Sequence, residues 1–278
     1  MCDLNSNCLN SKTLILDTNF LDQINRIVQE EIASSALEKS IEEKRGIFLA
    51  TIIKILENIS RCSNNEVFTS TKVYDDEIDI TNLNSALRTA EADFFNTLCL
   101  EEEFTRSLSL IYEDKIDTKE LEQDEVEDLQ ELLSEDIGYP DASLLLLAIK
   151  QSQDDDVIII TDDLALQKVI RDLRRNREVR FGVSHFSTER LHYMGSLMFF
   201  KNLHSCCGMS NKRWMSTVWS FVRHQRRRVE EGTMSEEKYQ LHSQYADPCL
   251  AQISADCDAK TEQNEMRYFS EVFGVNDG

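Results

Sequence analysis

Acidic residues follow two short apolar runs of the chain, at the point where each run ends. Asp17 comes directly after T-L-I-L. Asp162 and Asp163 come after V-I-I-I-T. Apolar runs of this length are typical of strands that are buried on both faces of a parallel sheet. Because parallel strands end at one edge, where such sheets bind their ligands, we expect these carboxylates to lie close together.

Two further acids are expected at the same edge. Glu77 follows the strand-like run E-V-F-T, and Asp141 follows Pro140 at the start of a strongly apolar helix. Each of the four acids could also serve alone as a helix cap or a first-turn acid. Carboxylates that converge on one edge repel each other, so a cluster of four requires cations. Mg²⁺ and Mn²⁺ are the hard cations that oxygen ligands select.

The elements that must position these acids predict an α/β fold. Helical patterns separate the strand-like runs, so we expect a central parallel sheet of about four to five strands, flanked by helices. Two helices are expected between residues 20 and 60, with a joint near Lys44–Gly46, and a further helix over 83–112. The predicted strands cover 13–16, 66–69, 156–160 and 179–183.

The charge of the chain is uneven. The formal net charge is −21 over 278 residues, but residues 171–228 hold 13 basic residues against three acids. Residues 113–136 hold twelve acids, and we expect a solvated helix or loop there. The predicted organisation is a catalytic domain over 12–186, which contains this acidic insert, and a basic helical extension over 187–278.

The four acidic motifs together resemble the PIN-domain nucleases. The motifs are L-D-T-N at 16–19, T-S-x-x-V-x-x-x-E at 69–77, P-D-A-S-L-L-L-L-A at 140–148 and I-I-T-D-D at 159–163, in the family's order. Most members are Mg²⁺- or Mn²⁺-dependent ribonucleases whose products carry 5′-phosphate and 3′-hydroxyl ends. The resemblance therefore implies a PIN-like hydrolase, an endoribonuclease that acts through an acidic cluster.

The resemblance also implies roles for individual residues. The catalytic and metal-binding acids would be Asp17, Glu77, Asp141 and Asp163, with Thr161, Asp162 and Asn19 in support. The chain between the first two acids is long for the family, so Glu57 is an alternative to Glu77 as the second acid. Five histidines, all after residue 184, lie away from these motifs, so the expected chemistry depends on metal rather than on a histidine base.

Binding of RNA, expected to be single-stranded, requires positive charge that the acidic half lacks. Arginine contacts to phosphates supply affinity that does not depend on the RNA sequence, and aromatic rings stack on unpaired bases. The candidate nucleic-acid contacts are Arg174, Arg175, Arg177, Arg223, Arg226, Arg227 and Arg228, and the candidate stacking rings are Tyr193, Phe200 and Trp219. The aromatic rings have core packing as their alternative role.

Other classes of function stay open beside the nuclease. One is a catalytically inactive PIN-like scaffold that binds RNA or protein partners, and another is a different metal-dependent phosphohydrolase or a response-regulator-like domain. The sequence has no apolar run of ~18 residues and no signal peptide pattern, so we expect a cytoplasmic protein without a membrane span. A homodimer is one allowed state. A zinc site could be drawn from the late cysteines and histidines His204, Cys206, Cys207, His242, Cys249 and Cys257, but their spacing is that of no zinc ribbon or finger.

Overall fold

The computed structural model describes residues 12–35, 39–63, 66–74, 102–133, 137–181, 184–207, 229–232 and 234–237. The chain forms two compact units, which divide between Tyr193 and Met194. The predicted acids Asp17, Asp141 and Asp163 belong to the first unit, and Glu77 lies outside the described residues.

The first unit is built on a central sheet of five strands. In chain order these are β1 (Thr13–Leu16), β2 (Val67–Ser70), β3 (Asp117–Lys119), β4 (Val157–Ile160) and β7 (Leu191–Met194). Their order in the sheet is β3-β2-β1-β4-β7, and the pairs β1–β2, β1–β4 and β2–β3 are parallel. Every residue of β1 and β4 is buried, as continuously apolar central strands require. The predicted α/β fold with a central parallel sheet is therefore confirmed.

The fourth predicted strand lies outside that sheet. Residues Glu178–Phe181 form β5, which pairs antiparallel with β6 (Ser184–Ser187) in a separate two-stranded sheet. The burial of β5 alternates between exposed and buried residues, as expected for a hairpin with one covered face. The prediction of a parallel unit at 179–183 was therefore wrong. The two outer strands of the central sheet, β3 and β7, were not predicted.

Two helices join β1 to β2, as expected, but their joint differs from the prediction. They are α1 (Thr18–Ser35) and α2 (Ile41–Cys62). Helix α2 begins after Ser40, whose hydroxyl accepts from the Glu43 amide while the Glu43 carboxylate accepts from the Ser40 amide. This reciprocal cap starts the helix earlier than predicted. Gly46 lies inside α2, where a Cβ atom would meet nothing within 4 Å.

Residues 113–133 of the acidic segment are part of the folded unit, and residues 134–136 lie outside the described residues. The segment contains the end of α4 (Glu102–Lys115), the strand β3 and the helix α5 (Gln123–Leu133). Val126 and Leu129 of α5 are buried, while most of its acids face solvent. The prediction of a solvated helix or loop was thus correct for one face only, because an amphipathic helix of this kind packs its apolar stripe against the core.

The buried helix that was predicted after Pro140 forms the centre of the unit. This is α6 (Tyr139–Gln151), in which the eight residues 142–149 are all buried. It contacts β1, β2, β4 and α5. The ammonium group of Lys150, near its end, donates a hydrogen bond to the carboxylate of Glu125 on α5.

Three further helices complete the description. The short α3 (Thr71–Val73) follows β2 directly, α7 (Leu164–Asn176) follows β4, and α8 (Ser196–Cys207) belongs to the second unit. Most of the predicted basic helical extension over 187–278 lies outside the described residues. Among the residues that the structure describes, no helix combines the length and the apolar character that crossing a membrane demands.

Candidate functional site

The strand order defines where a ligand would bind. From β1 the chain builds β2 and then β3 on one side, and it places β4 on the other side of β1. The reversal creates a switch point between β1 and β4, and open α/β sheets bind ligands in the crevice outside the carboxyl ends of the strands at such a point. Leu16 and Ile160 are register partners, so Asp17 and Thr161 leave the sheet side by side. We call the carboxyl ends of the strands, together with the residues that follow them, the acid edge.

Asp17 is held in the crevice by neutral donors. Its side chain is 2% exposed. Its Oδ2 atom accepts from the Thr161 hydroxyl at 2.5 Å and from the Asn19 amide at 3.1 Å. A buried carboxylate without hydrogen bonds would be costly, so these donors stabilise its position. Two of the three predicted supporting residues therefore contact Asp17 directly.

Asp163 performs the capping role that was its alternative. Its Oδ1 atom accepts from the main-chain amides of Ala165 at 2.6 Å and Leu166 at 3.1 Å, which makes it the N-cap of α7. Its own amide donates to the Thr161 hydroxyl oxygen at 3.0 Å. One hydroxyl thus joins Asp17 to Asp163. Asp162, which lies between Thr161 and Asp163 in the sequence, is half-buried.

Asp141 lies in the first turn of α6, and its carboxylate folds back toward the helix start. A Cβ atom built on Gly138, the N-cap residue, would meet Asp141 Oδ2 at 3.7 Å. An acid in this position interacts favourably with the helix dipole. Asp141 is half-buried, so its carboxylate is partly open to solvent.

A chain of buried hydroxyls ties the start of α6 to the acid edge. Ser143 donates to the Pro140 carbonyl at 2.7 Å, and its oxygen lies 2.7 Å from the hydroxyl oxygen of Ser70, the last residue of β2. Since the Ser143 proton is engaged, Ser70 is the donor between the two hydroxyls. Ser70 also accepts from the Val73 amide at 3.1 Å and so caps α3. The beginning of α6, with Asp141, is therefore fixed beside the end of β2.

The second predicted acid is not placed by the structure. Glu77 lies outside the described residues. Glu57, the alternative, is half-buried on α2. The pKa of Lys115 is raised, chiefly by the hydrogen bond and the charge of Asp114, with a smaller contribution from Glu57. Glu57 therefore lies within electrostatic range of the end of α4, and the choice of Glu77 stays a prediction.

The described residues do not by themselves complete a metal site. In the described ranges, no three His, Cys, Asp or Glu side chains are grouped closely enough to hold a metal ion. The acid edge contains Asp17, whose carboxylate accepts from the Thr161 hydroxyl, and Asp163, whose main-chain amide donates to the same hydroxyl. Asp141 lies at the start of α6, beside the end of β2. These carboxylates and the hydroxyl are oxygen donors, the type that Mg²⁺ and Mn²⁺ prefer. Of the residues of the zinc alternative, His204, Cys206 and Cys207 lie in α8, and His242, Cys249 and Cys257 lie outside the described residues.

The predicted basic contacts that the structure describes, Arg174, Arg175 and Arg177, are not brought to the acid edge. Arg174 and Arg175 lie in the last turn of α7, which runs for 13 residues from its cap at Asp163. At 1.5 Å per residue, the arginines lie roughly 16 Å along the helix from that cap. Arg175 is within 3.6 Å of Asp172, and Arg177 is within 3.7 Å of Glu189. The four remaining predicted contacts, Arg223, Arg226, Arg227 and Arg228, lie outside the described residues.

The stacking role of Phe200 was wrong. Phe200 is fully buried and packs edge-to-face on Phe199, with ring centroids 6.2 Å apart. A ring with no exposed face cannot stack on a nucleotide base, so the alternative of core packing applies. Tyr193 is half-buried, and Trp219 lies outside the described residues.

The amino ends of the strands, which we call the amino edge, carry a small cluster of ionisable side chains. Lys12, just before β1, lies 3.5 Å from the carboxylate of Asp156, just before β4. His192 of β7 has Nε2 at 3.8 Å from the same carboxylate. Burial, with the nearby charges of Arg174 and Lys12, lowers the pKa of His192 from 6.5 to about 4 against the opposing effect of Asp156.

We expect His192 to make the fold sensitive to acid. Between pH 6.5 and about 4 the unfolded chain binds more protons at this ring, so the free energy of unfolding falls as the pH is lowered. A shift of this size corresponds to about 3 kcal/mol; partial exposure and solvent screening reduce it to about 1–2 kcal/mol. Urea denaturation at pH 7 and pH 4.5 should show a smaller pH effect for His192→Gln than for wild type. An equal pH effect in His192→Gln and in wild type would contradict this prediction.

Several residues at the acid edge were missed by the sequence patterns. Ser70 and Ser143 lie within the quoted motifs, yet nothing in their spacing indicates that their hydroxyls meet. Lys72 is exposed on α3, and its Nζ lies 5.7 Å from the centroid of the Tyr139 ring, two residues before Asp141. A basic residue directly after the second strand motif is the only sequence feature that could have indicated this cation.

Comparisons of the chain with protein-family models, with curated proteins and with solved structures found no match.

Proposed function

We propose that this protein is a divalent-metal-dependent endoribonuclease of the PIN-like kind, acting on single-stranded RNA. The observation that carries the proposal is the buried carboxylate of Asp17 at the switch point of the sheet. It accepts from the Thr161 hydroxyl, which in turn accepts from the main-chain amide of Asp163. Such crevices bind ligands in α/β sheets, and buried carboxylates in clefts are common at functional sites. The order of the four acidic motifs along the chain supports the same proposal.

The donor atoms fit Mg²⁺ or Mn²⁺. In the proposal, Asp17 and Asp163 hold the ion, Asp141 completes the set from the start of α6, and Glu77 orients the attacking water. When bound, a divalent ion neutralises the phosphate and supplies a nucleophilic water at neutral pH. The N-cap bond of Asp163 engages its Oδ1 atom and orients the carboxylate, so capping and metal binding are compatible roles.

The chain must also hold a polyanion beside its own acids. Lys72 supplies positive charge at the acid edge, because it follows β2 by two residues and stands over the Tyr139 ring. In the proposal its ammonium group contacts a substrate phosphate next to the scissile bond. The arginines at the end of α7 lie farther along the molecule, where they would contact phosphates several nucleotides away.

The proposal is tested by cleavage of single-stranded RNA with purified full-length protein. We expect cleavage with Mn²⁺ or Mg²⁺, none in the presence of a chelator, and activity that falls with rising salt. A labelled substrate with one internal scissile position distinguishes endonucleolytic from exonucleolytic products. Cleavage that persists after exhaustive chelation would contradict a metal-dependent reaction.

Metal should also stabilise the fold. At a Mn²⁺ concentration about 100 times its dissociation constant, a single site raises the free energy of unfolding by about 2.7 kcal/mol. We expect the thermal midpoint of wild type to rise with Mn²⁺ concentration and to return to its starting value after chelation. Ca²⁺ at equal ionic strength serves as the comparison ion, because its larger coordination sphere fits a different site. A thermal midpoint that stays unchanged at millimolar Mn²⁺ would argue against the site.

The second candidate is a catalytically inactive PIN-like scaffold that binds RNA or a protein. One observation favours it: no three metal-ligating side chains are grouped within the described part of the chain. A scaffold would bind single-stranded RNA with a steep salt dependence and leave it intact with every divalent ion. The cleavage assay, run beside a binding titration on the same RNA, separates the two candidates.

A further inference from the structure

Gln167 is a buried polar residue on α7, the helix that Asp163 caps. It is 2% exposed, and its Nε2 atom donates to the Thr161 carbonyl at 2.7 Å. This bond fixes the orientation of the amide, because a carbonyl oxygen accepts from the NH₂ group and not from the amide oxygen. Its Oε1 atom is buried and accepts no hydrogen bond from any of the described residues.

Gln167 holds the link between β4 and α7 at two points. Its side chain binds the Thr161 carbonyl, and its main-chain amide donates to the Asp163 carbonyl at 3.0 Å. Residues 161–163 belong to neither a strand nor a helix, so their backbone groups depend on partners of this kind. The geometry of the link is therefore set largely by one residue six positions farther along the chain.

The link that Gln167 holds is the part of the chain that pairs the two acids. The Thr161 hydroxyl donates to Asp17 and accepts from the Asp163 amide. If the Thr161 backbone turned, its hydroxyl could not serve both groups at hydrogen-bond distance. Packing alone does not account for a glutamine here, because an apolar side chain of similar size would bury no unpaired amide oxygen.

We propose that Gln167 is a positioning residue, which fixes the 161–163 link so that Asp17 and Asp163 face one bound cation as a pair. The inference rests on the proposed function for its cation and on the described hydrogen bonds for its geometry. Groups that orient metal ligands from behind change metal affinity by about 10- to 100-fold when they are removed. Gln167 acts through Thr161 and does not itself contact the ion.

The test compares Gln167→Met with Gln153→Met in the full-length protein. Methionine keeps the length of the side chain and removes its donor. Gln153 is a suitable control, because its amide also binds main-chain carbonyls, those of Ile149 and Ser187, away from the acid edge. We measure hydrogen exchange of the Asp163 amide, exchange of core amides in β1 and β4, and Mn²⁺ affinity by calorimetry.

For Gln167→Met we expect faster exchange of the Asp163 amide, by at least about tenfold, with core amides unchanged. Mn²⁺ affinity should fall by about 10- to 100-fold. Gln153→Met should leave both quantities at wild-type values. A structural role alone would speed the exchange of core amides as well, so the pattern across amides separates the two.

Gln167→Glu provides a second variant should the methionine variant fail to fold. A protonated carboxyl can donate to the Thr161 carbonyl, whereas an ionised one cannot. Burial raises the pKa of a carboxyl, so the variant should resemble wild type in acid and lose protection of the Asp163 amide as the pH rises. Wild type should show no such change beyond the intrinsic pH dependence of exchange.

The outcomes separate the inference from the proposed function. If Gln167→Met changes neither Asp163 exchange nor Mn²⁺ affinity, or if Gln167→Glu keeps its protection at high pH, the positioning role is overturned. If wild type binds no Mn²⁺ but Asp163 exchange responds to Gln167, the proposed function fails while the control of the link by Gln167 stands.

Discussion

Asp17→Asn is expected to reduce Mn²⁺-dependent RNA cleavage by about a hundredfold to a thousandfold while the protein stays folded. Stabilisation of the transition state by a bound ion contributes several kcal/mol, and each 1.4 kcal/mol corresponds to about a factor of ten in rate. Asparagine keeps the shape of the side chain and an oxygen that can accept from Thr161, but it removes the charge that would hold the ion.

The expected effect on stability is small. Asp17 is buried, and replacing a buried charge by a neutral group of the same shape removes a desolvation penalty. We therefore expect the free energy of unfolding without metal to change by less than about 1 kcal/mol. The combination of lost activity with retained stability is what a metal ligand predicts and a purely structural acid does not.

Asp154→Asn is the matched control for this experiment. Asp154 is exposed in the turn before β4, at the amino edge, and its partner Arg190 binds its main-chain carbonyl rather than its side chain. This variant should cleave RNA at the wild-type rate. Equal activity of Asp17→Asn and Asp154→Asn would exclude Asp17 from catalysis, and the scaffold function would then be favoured.

Leu146→Ala is expected to lower the free energy of unfolding by about 3 kcal/mol, the typical cost of a large cavity in a packed core. Leu146 lies in the middle of α6 and is fully buried, in a helix that contacts β1, β2 and β4. The loss should appear in urea denaturation as a lower midpoint with an unchanged slope, since the surface exposed on unfolding stays nearly the same.

Leu110→Ala supplies the comparison for a leucine outside the core. Leu110 lies on α4 and is 55% exposed. Its truncation leaves no cavity in the core, so we expect the free energy of unfolding to change by less than about 0.5 kcal/mol. A cost for Leu146→Ala as small as that for Leu110→Ala would mean that α6 is not the central buried element of the unit.

The sequence patterns located most of the elements that carry the acids. The runs that became β1 and β4 are apolar apart from Thr13, and central strands covered on both faces require such runs. Helix α6 was predicted from its apolar run and from Pro140 at its start. The outer strands lack such an apolar run or were too short to recognise. β3, for example, consists of Asp-Thr-Lys, all exposed, and it is a strand only because it pairs with β2.

The candidate site was predicted in part. Asp17 and Asp163 were assigned to one edge from the strand that precedes each of them, and the structure joins them through Thr161. The capping role of Asp163 was foreseen as an alternative and is present. The arginines of α7 were predicted as nucleic-acid contacts, but the helix carries them away from its cap at Asp163, since each residue adds 1.5 Å along the axis.

Sequence alone determined which residues are buried in the central strands and in α6, and that carboxylates follow those strands. These features are local, because apolar periodicity and helix-start chemistry act over a few neighbouring residues. Only the tertiary structure decided which groups meet: Thr161 with Asp17, 144 residues apart, Ser70 with Ser143, 73 apart, and Glu125 with Lys150. Such contacts depend on the strand order and on how helices pack across the sheet, and no local pattern of residues records either.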